Sequence, residues 1–450
     1  MSRQLFGTDG IRGVAGEFPL DPQTVHALGA ALGDVAKRLA REPEILIGMD
    51  TRESGPWLAE QVAGGLAERG VRSRFAGVIT TPGIAYLTRA SSFVAGVMIS
   101  ASHNPYQDNG IKLFGHSGYK LPDEQERLIE QEIFAYREAG LEPGTCSLQV
   151  DPGLDQAYVN YLTSTFPGSL TSLRLVVDCG NGAASQLAPQ LLRGLGAQVL
   201  PLHCSPDGRN INLRCGALHP ESLREKVLAE KTNLGVAFDG DADRAIFISA
   251  SGKIVDGDAV LLLAARSLLA GGRLSGPEGK PTVVATVMSN LGLERALAAR
   301  GIRLLRTPVG DKYVLEGMLR SGARLGGEQS GHVIFLDYAT TGDGLLTALR
   351  VLEVMRESGL SMDTLTEELE IYPQRLVNVR IRERRPLSEM PAVAAEIRAA
   401  EAAFGPAGRV LVRFSGTEPL ARVMVEGPEI AQVETFASRI AGAIERELGA

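Results

Sequence analysis

Three aspartates at alternate positions, Asp239, Asp241 and Asp243, follow the apolar run Leu234–Phe238 and precede Arg244. In extended backbone alternate residues point the same way, so this spacing predicts three convergent carboxylates beside a buried strand. Such a group repels itself unless a cation neutralises it, and oxygen-only ligands suit a hard divalent ion such as Mg²⁺, which takes few protein carboxylates and leaves room for phosphate or water. The stretch lacks the longer loop of an EF-hand. A solvated acidic turn is the bland alternative, but carboxylates seldom crowd the end of an apolar strand without a partner.

Four further polar stretches could do chemistry. The apolar run Phe93–Ile99 ends in Ser100-Ala101-Ser102-His103-Asn104-Pro105, whose Asn-Pro turn signal sets the Ser102 hydroxyl on a loop at a strand end. There it could be a nucleophile or a plain turn residue. Gly327-Glu328-Gln329-Ser330-Gly331-His332 offers a carboxylate, a hydroxyl and an imidazole between glycines, a set that suits a polyhydroxylated ligand, although an ordinary glycine turn also fits. Ser415-Gly416-Thr417-Glu418 can turn successive N–H groups and hydroxyls toward an anion, with Arg413 and Arg422 adding charge. Near the N-terminus, Phe6-Gly7-Thr8-Asp9-Gly10-Ile11-Arg12-Gly13 carries Arg12 as its one strong anion ligand. A hydroxyl nucleophile, a metal site, a hydroxyl-reading loop and a phosphate cradle together suit phosphoryl transfer on a sugar. Cys179-Gly180-Asn181-Gly182 lacks the third glycine of a dinucleotide fingerprint and reads as a helix-entry turn.

The elements that must position these loops recur. Glu44–Asp50, an amphipathic stretch from Gly55 to Arg69 and Val71–Val78 read as strand, helix and strand; Leu173–Asp178 and Pro281–Thr286 open the same cassette again, each with a helix closed by glycine. In the three copies the next strand ends at Ser102, at Asp239 and at the Gly327-Glu328 loop. Ligands of open α/β sheets bind beyond the carboxyl ends of strands, so three copies around one cleft would bring these loops together. The fold class expected is therefore α/β: three similar α/β domains with mixed sheets around a central cleft, plus a smaller C-terminal α+β domain that begins at the Tyr372-Pro373 break. The expected domains span 1–155 with the serine loop, 156–254 with the acidic loop, 255–370 with the Glu328 loop and 371–450 with the Ser415 loop.

Composition narrows the function. With 44% apolar and 22% charged residues the 450-residue chain has the makeup of an ordinary globular protein, and a net charge of −7 argues against a nucleic-acid surface. Four cysteines without metal-ligand spacing favour a reduced, cytoplasmic setting. No apolar run reaches signal-peptide or membrane-spanning length, so no membrane partner is expected.

The four motifs, in this order over nearly the whole chain, resemble the α-D-phosphohexomutase superfamily. The stretches Phe6–Gly13, Ile99–Pro105 and Gly327–His332 are similar above all to bacterial members that act on glucosamine phosphates. The resemblance implies a four-domain enzyme that interconverts glucosamine 6-phosphate and glucosamine 1-phosphate on the way to UDP-N-acetylglucosamine. A bisphosphorylated sugar would serve as intermediate or activator. Matched motif by motif, Ser102 becomes a phosphoserine, and Asp239, Asp241 and Asp243 bind one Mg²⁺ together with it. His103 and Lys112 take proton-transfer or positioning roles, joined by Arg12 and Arg244 as catalytic candidates. Glu328, Ser330 and His332 read the sugar, and Arg413, Ser415, Gly416, Thr417 and Arg422 hold its phosphate. Lys112 could act as a base only with a depressed pKa, for which Arg244 or the metal is the expected cause. Phe414 departs from the family pattern, where proline or lysine is usual. Mannose or glucose phosphates as substrates, and a metal-dependent phosphatase, are the alternative readings; a homodimer is left open.

Overall fold

The computed structural model describes residues 4–7, 9–415 and 419–449. Two compact units make up the chain, one of residues 1–288 and 302–367, the other of residues 289–301 and 368–450.

The first unit contains three sheets. Six strands form the first in the order Phe6–Gly7, Gly10–Val14, Asp108–Gly115, Ala95–Ile99, Glu44–Met49, Arg72–Val78. Glu44–Met49 runs parallel to both neighbours, whereas Asp108–Gly115 is antiparallel to Ala95–Ile99, with Met98 opposite Lys112. All of Ala95–Ile99 is buried, as a central strand covered on both faces must be. Five strands form the second sheet, in which Arg174–Asp178 lies between Gln198–Leu202 and Leu234–Phe238. The third has four, with Thr282–Thr286 between Arg303–Thr307 and Leu325–Gly327. Each sheet is mixed, so this unit holds three α/β domains.

The cassettes fold as their patterns dictate. Asp21 caps the helix Pro22–Leu39 by accepting from Thr24 N, with Pro22 at the first helical position, where its missing N–H is no loss. Two of the elements that escaped the pattern bear on the site. Thr81–Ala90 is a helix begun by the Thr80 cap, and Asp108–Gly115 is the strand that carries Lys112.

In the second unit the antiparallel strands Gln374–Arg380, Leu420–Glu426 and Arg409–Phe414 pack against the helices Pro391–Phe404 and Ile430–Leu448 around a core that includes Val393, Phe404, Val423 and Ile440. The helix Leu291–Ala298 of the third cassette belongs to this unit, tied by Leu291 N to Glu426 Oε1 at 2.9 Å and by Asn290 to Tyr372. That assignment to the smaller unit is one that periodicity cannot reveal.

Candidate active site

Ser102 lies at the end of the strand Ala95–Ile99, buried, with its backbone in the left-handed region at φ 53. For a residue with a Cβ that conformation costs on the order of 1–3 kcal/mol and persists only where the surroundings impose it. Its Oγ donates to Asp239 Oδ2 at 2.7 Å and lies 3.4 Å from His103 Nδ1. The serine and acidic loops therefore meet.

Asp239, Asp241 and Asp243 bring carboxylate oxygens within 4.8 Å of one another. They do so by another route than the spacing argument supposes. The loop is a turn, with Ala242 at φ 57, and its curvature rather than an extended pleat gathers the three side chains. Protein cations answer part of the charge. Lys112 Nζ sits 2.8 Å from Asp241 Oδ2, 3.0 Å from Asp9 Oδ2 and 3.9 Å from Asp243 Oδ2, and Arg244 Nε lies 3.8 Å from Asp243 and 4.0 Å from Asp239. Burial and the neighbouring carboxylates of Asp243 and Asp241 push the Asp239 carboxyl well up. Burial acts the same way on Asp243, but His332, Lys112 and Arg244 outweigh it and hold that group ionised. Among the described residues, Asp241 Oδ1 and Asp243 Oδ1 are buried and accept no hydrogen bond. Buried oxygens left so are costly, and a hard cation is what oxygen ligands in this arrangement fit.

The cations do not behave as supposed. Burial would depress the Lys112 ammonium, yet Asp241, Asp9 and Asp243 override it and raise its pKa above the usual lysine range. In this arrangement the three carboxylates hold Lys112 in its charged form. His103 moves the other way, down to about 4, through burial and the nearby guanidiniums of Arg244 and Arg12, so its ring is neutral at pH 7. Arg12 is held by Asp9 at 2.5 Å and by Asn104 Oδ1 at 3.3 Å.

The Glu328 loop joins the other two. The backbones of Arg244 and His332 form an isolated bridge, and His332 Nδ1 lies 3.5 Å from Asp243 Oδ2. Gly342 N donates to His332 Nε2, which assigns the ring proton to Nδ1, facing the aspartate. His332, expected to read the sugar, has both ring nitrogens facing protein groups. Glu328 is buried and accepts from Gly310 N at 3.0 Å, while Ser330 is exposed. A cavity of about 240 Å³ lies beside this loop, lined by Lys120, Asp311, Lys312 and His332 among others.

In the second unit Arg413 and Arg422 stand directly opposite on paired strands, and burial together with Arg422 lowers the Arg413 pKa. Ser415 is buried, its N–H donating to Leu420 O at 2.8 Å. Gly416 and Thr417 lie outside the described residues.

Several site residues were not singled out from the sequence. Asp9 bridges Arg12, Lys112 and Lys120. Thr81 donates its N–H to Asp241 O and its hydroxyl to Asp241 Oδ2. Arg52 is completely buried against the serine loop. The signal for Arg52 was present: Asp50-Thr51-Arg52 ends the first strand of the first cassette, where an α/β sheet places its ligand loops.

Sequence profiles of one family match this chain in four consecutive stretches. They are described as phosphoglucomutase/phosphomannomutase alpha/beta/alpha domain I, domain II, domain III and C-terminal domain, and match residues 3–140, 156–252, 256–372 and 376–443. The chain belongs to the phosphoglucomutase/phosphomannomutase family. It is 64% identical over 449 residues, 100% of both chains, to a phosphoglucosamine mutase from Solibacter usitatus. It is 51% identical to one from Koribacter versatilis, over 99% of this chain and 98% of that one. Within the family, then, its place is with the phosphoglucosamine mutases. Among solved structures, a phosphoglucomutase/phosphomannomutase family protein from Burkholderia thailandensis superposes with a TM-score of 0.80 at 26% identity, covering 98% of this chain and 97% of that one. The N-acetylphosphoglucosamine mutase of Aspergillus fumigatus, solved with GlcNAc-6P and magnesium, superposes with a TM-score of 0.69 at 18% identity over 99% of this chain and 96% of that one, a likeness of fold. Among the described residues no helix is long and apolar enough to cross a membrane.

Proposed function

We infer that the chain interconverts glucosamine 6-phosphate and glucosamine 1-phosphate. Ser102 carries the phosphoryl group, gives it to the free sugar hydroxyl to form a bisphosphorylated sugar, and regains the other phosphate after the sugar turns round. The observation that carries this reading is Ser102 Oγ, buried and held 2.7 Å from Asp239 in a trio of carboxylates with unpartnered buried oxygens. A serine placed for turn chemistry alone has no use for such neighbours.

Asp239, Asp241, Asp243 and the phosphorylated Ser102 would hold one Mg²⁺, which when bound offsets negative charge on the group in transfer. The remaining work falls to the chain's own side chains. Arg12 and Arg244, each with a buried Nε that donates no hydrogen bond among the described residues, draw the phosphoryl oxygens toward the serine. Lys112 keeps the acidic loop from excess negative charge. His103, neutral and beside Ser102, is able to take the proton of the attacking hydroxyl. Glu328 and Ser330 receive sugar hydroxyls; Arg413, Ser415, Gly416, Thr417 and Arg422 bind phosphate. The product leads toward UDP-N-acetylglucosamine, a cytoplasmic role.

Intact-mass measurement tests the carrier. The purified protein should contain a fraction heavier by one phosphate, and Ser102→Ala should lose that mass and all mutase turnover on glucosamine phosphates. Retained turnover in Ser102→Ala would overturn the reading. Turnover on glucose or mannose phosphates exceeding that on glucosamine phosphates would move the substrate to a hexose.

A further inference from the structure

Five hydrogen bonds radiate from the Arg52 guanidinium; three end on the loop that bears Ser102 and one on the first residue of the strand that follows it. Its Nη2 donates to Ser102 O and Asn104 O, each at 2.9 Å, and its Nη1 to Asp108 O at 2.9 Å and to Pro105 O. Its Nε donates to Asp50 Oδ2 at 2.9 Å. All five N–H donors of the guanidinium are spent, in a planar fork that no other side chain reproduces. Asp50 extends the grip: Oδ2 accepts from Ser100 Oγ at 2.6 Å, and Ser100 Oγ in turn accepts from Ser102 N at 2.9 Å. Both the N–H and the C=O of the strained serine are thereby fixed.

A second hand comes from the other side. Asn212, in the loop after the strand Gln198–Leu202 of the second sheet, donates from Nδ2 to the same two carbonyls, Ser102 O at 2.9 Å and Asn104 O at 3.3 Å. It too has a positive φ, 57, a conformation asparagine tolerates better than most residues. The acidic loop packs into the same junction. A Cβ on Gly240 would fall 2.4 Å from Ser102 O and 2.9 Å from Asn212 Nδ2, so only glycine lets the two loops approach this closely.

We propose that Arg52 and Asn212 are positioning residues which, by gripping the carbonyls of Ser102 and Asn104 from two different domains, lock the serine loop and the acidic loop into one rigid piece. The proposal rests on Ser102 being the phosphoryl carrier. It adds that the serine loop keeps one position through both half-reactions. No motion of the serine loop is required, and loosening that loop harms phosphoryl transfer rather than sugar binding.

The test uses full-length Asn212→Gly and Arg52→Lys. Glycine keeps the positive φ and removes the two donors; lysine keeps the charge but, with three donors, leaves carbonyls of the loop without partners. A small misplacement of a reacting group costs roughly 100-fold in rate, so kcat for glucosamine 1-phosphate should fall by about that factor while KM stays within about threefold. Circular-dichroism melting should show Asn212→Gly folded at the assay temperature. A merely structural role would instead lower the fraction of active enzyme, visible as fewer Ser102 sites labelled by glucose 1,6-bisphosphate, with the labelled sites turning over normally. Wild-type kcat in folded Asn212→Gly, or a loss confined to KM, would overturn the proposal; if Arg52→Lys does not fold, Asn212→Gly decides alone. Failure of the carrier reading is a separate result, seen as turnover that survives Ser102→Ala.

Discussion

Among the described residues of the first unit, two clusters bring metal-ligating groups together, and they differ in a way that residue types do not announce. Asp239, Asp241 and Asp243 form one; Asp178, His203 and Cys215, also within 4.8 Å of one another, form the other. By ligand chemistry the second is as respectable as the first, since carboxylate, imidazole and thiolate suit a softer ion such as Zn²⁺. Its atoms, however, are already employed. Asp178 Oδ1 accepts from Gly180 N at 2.9 Å; Oδ2 accepts from Gly216 N at 3.1 Å and pairs with His203 Nδ1 at 3.0 Å. Burial and Asp178 push the Cys215 thiol up to about 12, away from the thiolate a metal needs. The acidic trio keeps two buried oxygens without a donor. Unspent ligand atoms distinguish a cation site from a loop organiser.

The largest effect expected from this contrast is on turnover. Asp239→Asn and Asp241→Asn should each lower kcat by roughly 100-fold or more, the scale on which a group aimed at transferred charge counts. In metal-free protein the two should part company. Asp239 is buried against like charges, so removing its charge should leave the melting temperature unchanged or raise it. Asp241 neutralises buried Lys112 and receives Thr81, so its loss should destabilise by about 3 kcal/mol, the scale for breaking a buried pair. Thermal melts in chelator, read beside kcat, check both; equal melting shifts for the two variants would break the distinction. An argument from carboxylate repulsion alone treats the three aspartates alike.

A smaller effect is expected at the second cluster. His203→Ala should leave the Mg²⁺ concentration for half-maximal activity unchanged and cost about 1 kcal/mol in stability, the worth of one hydrogen bond. A shift in the Mg²⁺ response, or a tight Zn²⁺ equivalent that Cys215→Ser removes, would show that the second cluster is a metal site.

What the chain discloses in advance follows the range of the forces involved. Repeated strand and helix patterns are local, and they located the serine, acidic and Glu328 loops, because the carboxyl end of a strand is readable from where an apolar run stops. Contacts between domains are not local. Only the family resemblance singled out Lys112; its place beside Asp241, 129 residues away, depends on the strand Asp108–Gly115, which no local pattern announced. Arg52 and Asn212 share carbonyls while separated by much of two domains, and no periodicity links them. His332 shows the converse: the sequence places an imidazole at the end of a glycine-flanked polar loop, and only tertiary packing sets it 3.5 Å from Asp243.

The smallest effect concerns Asp343, whose standing between the two clusters tests how far satisfied hydrogen bonds protect a buried carboxylate. Oδ1 caps the helix Gly344–Ser358 by accepting from Leu346 N at 2.9 Å, and Oδ2 accepts from the buried Tyr158 hydroxyl at 2.7 Å. Burial nevertheless raises its pKa to about 6, the hydrogen bonds opposing that rise without cancelling it. A folded-state pKa above the unfolded one means that between roughly pH 4 and 6 the folded protein binds a proton the unfolded chain does not. Stability contributed by this group therefore improves as pH falls from 6 toward 4, and above 6 the buried charge costs on the order of 3 kcal/mol. Asp343→Asn retains a cap and a partner for Tyr158 but carries no charge. At pH 8 the variant should melt a few degrees above the parent, and the gap should close near pH 4.5, where Asp343 is already protonated. A gap that stays constant with pH would mean the two hydrogen bonds cancel the effect of burial on this carboxylate.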